Sequence, residues 1–471
     1  MAYKSQQPFR LPAPIRCGPE EAQDLSMEKI EYFIQQHQEF MPRYQYLENL
    51  YRGLHTIFHD EPKPVWEPDH RMAVNFPLYI TSTFCGFGYG IPIKVTHEDE
   101  SFLESLAAFE EANEIDDHNS ELIKQTCIHG HAFEYMYQDE DGNTRVSVLK
   151  PSQCFVVYDN SIEERALFAI RYGSHTRSLS DKTMVLYGEV MTADTRVYFD
   201  DGRITDEQPQ PYGKINVVEW RLNDERMGLY EPVGALCETY ERVLSNKAND
   251  VAAFAEAILK IVGADMAPEN AREALINRIM ILVKEGTGDT ETNADADYLT
   301  KPSADGTQEN LLDRLQELIF TISQVANISD ESFGSATSGV SLSYKLLAMS
   351  NLAKSFDTKI SKSIRKRCKL FCQLQTNTPD KDAWKGITLQ FTRNIPNNIA
   401  EEVQTAVQAT TLTSQETALG LLSFVPDPKA ELERMEKEKK AAQPDLLDFN
   451  SHREVELTDD TEEETAGDEQ R

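Results

Sequence analysis

Ser329-Asp-Glu-Ser-Phe-Gly-Ser-Ala-Thr-Ser-Gly339 runs straight into a long apolar-striped segment, and this junction decides the reading of the chain. Most positions between Gly334 and Gly339 are Gly, Ala, Ser or Thr. Such a loop is expected to be mobile and to carry almost nothing that holds a partner. Behind it, Leu342, Leu346, Met349, Leu352, Phe356, Ile360, Ile364, Cys368 and Phe371 recur at three- and four-residue steps. That spacing predicts one helix of about 30 residues with a single apolar stripe. A small-residue finger on a rigid lever suits a surface past which something slides. It suits catalysis poorly, because a catalytic loop needs a fixed titratable group.

Upstream of the loop, Thr307 is expected to cap a helix over 308–327, striped by Leu311, Leu315, Leu318, Ile322 and Val325. An earlier helix opens on Pro232 and runs through Val233, Leu236, Tyr240, Leu244, Val251, Ala255 and Ile258. It spans about 28 residues, or roughly 42 Å. Between the two lies a small insert. Its expected parts are strand 259–262, helix 269–279, strand 280–283, an acidic turn at 287–297 and strand 298–300. Two long helices bracketing such an insert carry it at the end of a stalk, which suits reaching a partner or building a tube. After the lever, a short strand at 387–392 and a helical region at 400–422 are expected. A charged segment at 430–445 and an acidic tail follow.

Toward the amino terminus, 20–58 reads as helical, its apolar faces (Ile30, Phe33, Ile34, His37, Phe40, then Leu47, Leu50, Leu54) broken at Pro42. A short helix at 74–85 is expected to end at Gly86-Phe-Gly88-Tyr-Gly90, with a strand at 91–95 and amphipathic helices at 100–113 and 116–128. Strands are predicted at 131–137, 145–149, 155–158, 167–172, 184–190, 196–199 and 217–222. Turn signals at Asp139-Glu-Asp-Gly142 and Asp200-Asp-Gly202 favour antiparallel meanders. The fold class is α+β.

The 471 residues leave room for more than one core. No apolar run approaches the ~20 residues that span a bilayer, so no membrane partner is expected. Residues 1–14 lack a basic-then-apolar signal pattern, and secretion is not expected. Lys and Arg number 47 against 79 Asp and Glu, a net charge of −32. Part of that sits in the tail, where Glu454, Glu456, Asp459, Asp460, Glu462, Glu463, Glu464, Asp468 and Glu469 face Arg471. Such a run repels itself and buries nothing. A body this acidic should not grip nucleic acid by neutralising phosphates. The lever reverses the sign locally: Lys345, Lys354, Lys359, Lys362, Arg365, Lys366, Arg367 and Lys369 stand against Asp357. They would touch phosphates, pair with an acidic neighbouring subunit, or form a solvated face.

Motifs for chemistry are sparse. Cys127-x-His129-x-His131 would put three zinc-type ligands on one strand face, but no fourth ligand follows and packing is the better account. Gly86-x-Gly88-x-Gly90 sits after a helix and before a strand, the reverse of a phosphate loop. Gly286-Thr-Gly288 lacks the Gly-Lys-Ser/Thr sequel of an ATPase. Asp289, Glu291, Asp295 and Asp297 lack calcium-loop spacing and read as a solvated turn. The seven cysteines are scattered without Cys-x-x-Cys and read as reduced, mostly buried thiols of an intracellular protein. Neither a cofactor nor a metal is expected.

Several short stretches, in order, carry a resemblance: Asn75-Phe-Pro with Gly86-Phe-Gly-Tyr-Gly-Ile-Pro92, Gly130-His-Ala-Phe-Glu-Tyr-Met-Tyr137, and Ala169-Ile-Arg-Tyr172. Tyr240-x-x-x-Leu-Ser-Asn-x-Ala-Asn-Asp250 with Phe254, Leu299-x-Lys-Pro302 and Ser338-Gly-Val-Ser-Leu-Ser-Tyr344 complete the set. Over roughly 25–425 the chain resembles the portal protein, or head-to-tail connector, of phages with long non-contractile tails.

That resemblance implies a ring, usually of twelve subunits, that replaces one capsid vertex of the virion after assembly in the host cytoplasm. It implies a wing (1–229 with 342–394), stem helices (230–258 and 308–328), a clip (259–307), a tunnel loop (329–341) and a crown (395–430), with a charged tail at 431–471. Ser332, Phe333, Gly334, Ser335, Thr337, Ser338, Lys345 and Lys354 would face double-stranded DNA in the channel. Glu285, Asp289, Glu291, Asp295 and Asp297 of the clip would meet terminase and head-completion proteins. Major capsid and scaffolding proteins are the other implied partners. The division of labour leaves the motor to terminase, in keeping with the missing ATPase loop and a non-enzymatic chain. Two rival readings are an enzyme built on Cys127, His129 and His131, and a minor capsid scaffold without a channel.

Overall fold

The structure is a computed structural model describing residues 13–23, 25–65, 67–255, 258–262, 279–282, 295–299, 305–328, 339–395, 399–422, 425 and 428–442. It is mixed α and β. Strand β1 (Ile15–Cys17) leads to helices α1 (Met27–Gln38) and α2 (Met41–Tyr51). Pro42 sits in the first turn of α2, so it starts that helix rather than interrupting one. Helix α3 covers Phe76–Tyr89 and runs through Gly86 and Gly88, where an end was expected. The physical reason is packing. Phe84, Phe87 and Tyr89 are buried, and a Cβ on Gly88 would sit 3.8 Å from that of Ala353 on the lever. Burying three aromatics outweighs the ~1 kcal/mol cost of each helical glycine.

Strand β2 (Lys94–Thr96), α4 (Glu100–Ala112) and α5 (Ile115–His129) follow. The meanders are β3 (His131–Gln138), β4 (Thr144–Leu149), β5 (Cys154–Asp159), β6 (Ala166–Thr176), β7 (Met184–Met191), β8 (Thr195–Asp200), β9 (Arg203–Pro209) and β10 (Val217–Arg221). One sheet has the order β1-β5-β6-β7-β8-β9, antiparallel from β5 onward with β1 parallel to β5. A second has the order β10-β3-β4, also antiparallel. The β8–β9 turn holds Asp201 at φ 47° and Gly202 at φ 73°, the left-handed pair that tight hairpins demand.

Helix α6 (Gly234–Ala255) and helix α7 (Asp305–Ser323) lie antiparallel, since Asp250 meets Gln308 and Lys247 meets Glu309. Thr307 lies inside α7 rather than capping it, and α7 ends where Gln324 turns left-handed at φ 58°. The insert between them pairs β11 (Ile258–Val262) parallel to β12 (Ile279–Leu282) and antiparallel to β13 (Asp295–Leu299). Asp295 and Asp297, expected in a turn, are therefore strand residues opposite Val262 and Lys260. The expected helix at 269–279 lies outside the described residues up to 278, and Ile279 opens β12.

The lever is two helices, α8 (Gly339–Lys345) and α9 (Leu347–Phe371), separated at Leu346. The helix thus reaches into the expected 329–341 loop at its carboxyl end. Its stripe holds as read: Leu346, Met349, Phe356, Ile360, Ile364, Cys368 and Phe371 are buried in the largest core, with α3, α5 and β10. Strand β14 (Thr388–Gln390) returns to pair with β2. A separate unit from residue 396 contains α10 (Ile399–Ala409), α11 (Gln415–Leu419) and α12 (Pro428–Ala442).

Candidate functional site

Ser332, Phe333, Gly334, Ser335, Thr337 and Ser338 lie outside the described residues, as do Glu285, Asp289 and Glu291. The upstream root of the loop is fastened to α3 directly, and the helix that follows the loop joins α3 further along, on α9 beyond the break at Leu346. On the upstream side the Ile328 amide donates to the Tyr79 hydroxyl at 2.9 Å, and Phe320 of α7 packs edge-on against Phe76 and Tyr79. On the downstream side the Tyr89 hydroxyl donates to Ala353 O and Asp357 Oδ1, each at 3.1 Å. Arg393 donates to Gly88 O at 2.9 Å and pairs with Asp357. Burial, reinforced by the Asp357 carboxylate, pushes the Tyr89 hydroxyl pKa up, so it stays a donor. The Asn75-Phe-Pro motif opens the clamp: Asn75 Oδ1 caps the Leu78 amide at 3.0 Å while its Nδ2 donates to Tyr51 O.

Helix α6 is zipped to the segment leading into α3. Asn249, Ser245 and Glu241 accept from the amides of His70, Met72 and Val74 at 2.6, 2.9 and 3.1 Å. A four-residue helical step rises about 6 Å and a two-residue extended step about 6.7 Å, so the two ladders stay in register over this length. The buried Glu241 also pairs with the buried His55.

Between α7 and the lever lies an open cleft of about 550 Å3, lined by Asp313, Glu317, Phe320, Gln324, Lys345 and Ala348 among others. Lys345 therefore shares a cleft with the α7 carboxylates Asp313 and Glu317 of its own chain, whereas Lys354 is exposed on α9. The buried face of α7 is Leu312, Leu315 and Ile319, while Leu311 and Ile322 are 44% and 45% exposed. The stripe read from the sequence thus straddles two faces, and its Leu311–Ile322 edge is uncovered in the single chain.

The other lever cations are largely engaged within the chain. Arg367 is buried, donates to Glu134 and Asn119 at 2.6 and 2.7 Å, and lies over Trp220. Lys359 pairs with Asp224, and Arg365 donates to Ile387 O. Burial alone would raise the Glu134 carboxyl, but Arg367, His118 and Trp220 bring it down to about 2.

Cys127, His129 and His131 do not share a strand face. Cys127 and His129 are in the last turn of α5, and Gly130, left-handed at φ 87°, turns the chain before His131 opens β3. Cys127 Sγ is 3.9 Å from Cys85 Sγ. His131 is held by Glu219 through Nδ1 at 3.0 Å and by the Tyr44 hydroxyl at Nε2, while His129 Nδ1 lies 3.2 Å from Gln125 O. Glu219 is in turn bound by Arg226 and Arg221. Among the described residues no group of three His, Cys, Asp or Glu side chains is placed to hold a metal. The enzyme reading loses its geometric basis.

Residues 30–445 match the family described as "Phage portal protein, SPP1 Gp6-like". The portal protein of Bacillus phage SPP1 is 25% identical over 376 residues, covering 74% of this chain and 72% of that protein.

Proposed function

The chain belongs to the SPP1 Gp6-like family of phage portal proteins, and from that membership we propose that it closes into a ring around a channel for double-stranded DNA. In this reading 1–229 with 342–394 is the wing, 230–258 and 308–328 the stem, 259–307 the clip, 329–341 the tunnel loop and 395–430 the crown. The ring occupies one capsid vertex, assembled with major capsid and scaffolding proteins. Its clip, with Glu285, Asp289, Glu291, Asp295 and Asp297, receives terminase and then head-completion proteins.

The observation that carries the channel reading is that α3 holds the chain on both sides of the loop, at Tyr79 just before it and at Tyr89 through α9 after it. A loop so fastened projects its tip from a stiff frame. Phe333 is then the bulky contact for a passing duplex, and Lys354 an exposed cation of the lever. The charge of −32 prevents phosphates from lingering.

Ring closure is supported by the uncovered Leu311 and Ile322, eleven residues apart and so on one face of α7, with Tyr344 (75% exposed) and Leu347 (51%) on the lever. Light scattering and negative-stain microscopy test it. Wild-type chain should form rings, and Leu311→Asp with Ile322→Asp should give folded monomers of unchanged circular dichroism. Persistent monomers of the wild type under assembly conditions would overturn the reading. Phe333→Ala should leave rings intact and change DNA packaging.

A further inference from the structure

Helix α9 carries Lys362, Lys366 and Lys369 at four- and three-residue steps, hence on one face. Lys362 and Lys366 are exposed, and Lys369 is half-buried with Nζ 5.0 Å from the centre of the Trp384 ring. Lys214, on the loop before β10, joins them against Lys369. None of the four makes a salt bridge among the described residues. The carboxylates nearby are already engaged: Asp224 by Lys359, Asp382 by Lys385, and Glu219 by Arg226 and Arg221. Partial burial, and then the neighbouring Lys369, push the Lys214 amine below the ordinary lysine value. Four like charges thus stand together with no salt bridge of their own among the described residues, on a chain whose net charge is −32.

We propose that Lys214, Lys362, Lys366 and Lys369 form a docking surface for carboxylates of a second copy of this chain. The inference rests on the ring reading and adds the electrostatic contact that the ring needs. Copies this acidic repel one another, and a cationic island at the seam offsets that repulsion where they touch. DNA in the channel is the weaker occupant. Lys366 stands some 20 residues along the lever from Leu346, so about 30 Å beyond the joint between α8 and α9.

The test uses full-length chain, half of it 15N-labelled, assembled and treated with a carbodiimide that joins amines directly to carboxylates. Peptide mass spectrometry should find heavy–light links from Lys362, Lys366 or Lys369. Lys362→Glu with Lys366→Glu should remove those links and shift assembly to at least tenfold higher protein concentration at low salt, with thermal unfolding of the monomer unchanged. Lys362→Arg with Lys366→Arg should restore assembly. Links confined to single chains, with the Glu variant assembling normally, overturn the inference and leave the ring reading standing. Normal assembly with lost retention of duplex DNA reassigns the surface to nucleic acid and likewise overturns it. A wild-type chain that forms no ring fails the ring reading itself.

Discussion

Arg367 of the lever and Glu134 of β3 meet at 2.6 Å in the interior, although 233 residues separate them in sequence. The same carboxylate accepts from Trp220 Nε1 at 3.1 Å and lies 3.0 Å from His118 Nε2. One buried charge therefore ties the lever to α5, β3 and β10.

Removing one partner of such a pair leaves the other buried and unmatched, which costs about 3–5 kcal/mol. Arg367→Met is expected to cost that much in urea unfolding at fixed protein concentration. Glu134→Leu with Arg367→Met should cost less than the sum of the single changes, because the pair leaves together. Strict additivity in the double-mutant cycle would show that the contact carries no coupling.

Acid should weaken the fold before carboxylates titrate. Burial holds His37 and His129 at about 3 and His131 at about 4, against an ordinary 6.5. The folded chain keeps them neutral, while the unfolded chain protonates them below about 6.5. Their contribution is complete above that pH and is lost as pH falls toward 3–4, at a limiting slope of roughly 1.4 kcal/mol per pH unit for each histidine. Glu134 adds to the loss only below its unfolded value near 4.5, down to about 2. The urea midpoint should therefore decline from pH 6.5 to 4.5, and His37→Phe should make that decline shallower. An unchanged slope would exclude His37 as a contributor.

Gly130 turns α5 into β3 at φ 87°, and a Cβ there would run into the Arg226 carbonyl oxygen. Backbone strain alone costs about 1–3 kcal/mol, and the clash falls on backbone that Arg43 also holds through Arg226 O at 3.0 Å. Gly130→Ala should lower the melting temperature by several degrees or abolish soluble expression, whereas Gly142→Ala, in an open turn with φ 80°, should pay the strain alone.

Much of this was legible in the sequence where burial follows a period. The lever stripe from Met349 to Phe371 and the strands from His131 to Asp200 were readable because apolar residues recur at the helical or strand step. β9 was missed because all seven of its residues are exposed, so no alternation betrays it. α3 was read short because glycines punctuate it, and only the approach of Ala353 explains why they are tolerated. Cys127, His129 and His131 were placed on one face by a spacing of two, which loses its meaning when Gly130 changes helix into strand. On α7 the sequence offered two adjoining apolar faces and no way to tell which one its own chain covers. The tip of the candidate site, 329–338, lies outside the described residues. The Tyr79 anchor that fastens its upstream side had no signal in sequence.

The α6 ladder was silent in another way: Ser245 and Asn249 fall in the Tyr240–Asp250 stretch that carries the resemblance, but nothing there marks them or Glu241 as buried acceptors. In the fold they are buried acceptors for three amides of the segment entering α3. These bonds are part-buried, and such a hydrogen bond contributes about 0.5–1.5 kcal/mol net. Ser245→Ala should therefore destabilise by that amount and speed hydrogen exchange at the Met72 amide. Asn249→Leu should do the same at His70, and the two effects should couple because one helix face holds both. Exchange at His70 and Met72 that is unaltered in both variants would mean that these side chains do not hold the segment. α3 would then take its position, and with it the hold on Ile328 and on α9, from aromatic packing instead.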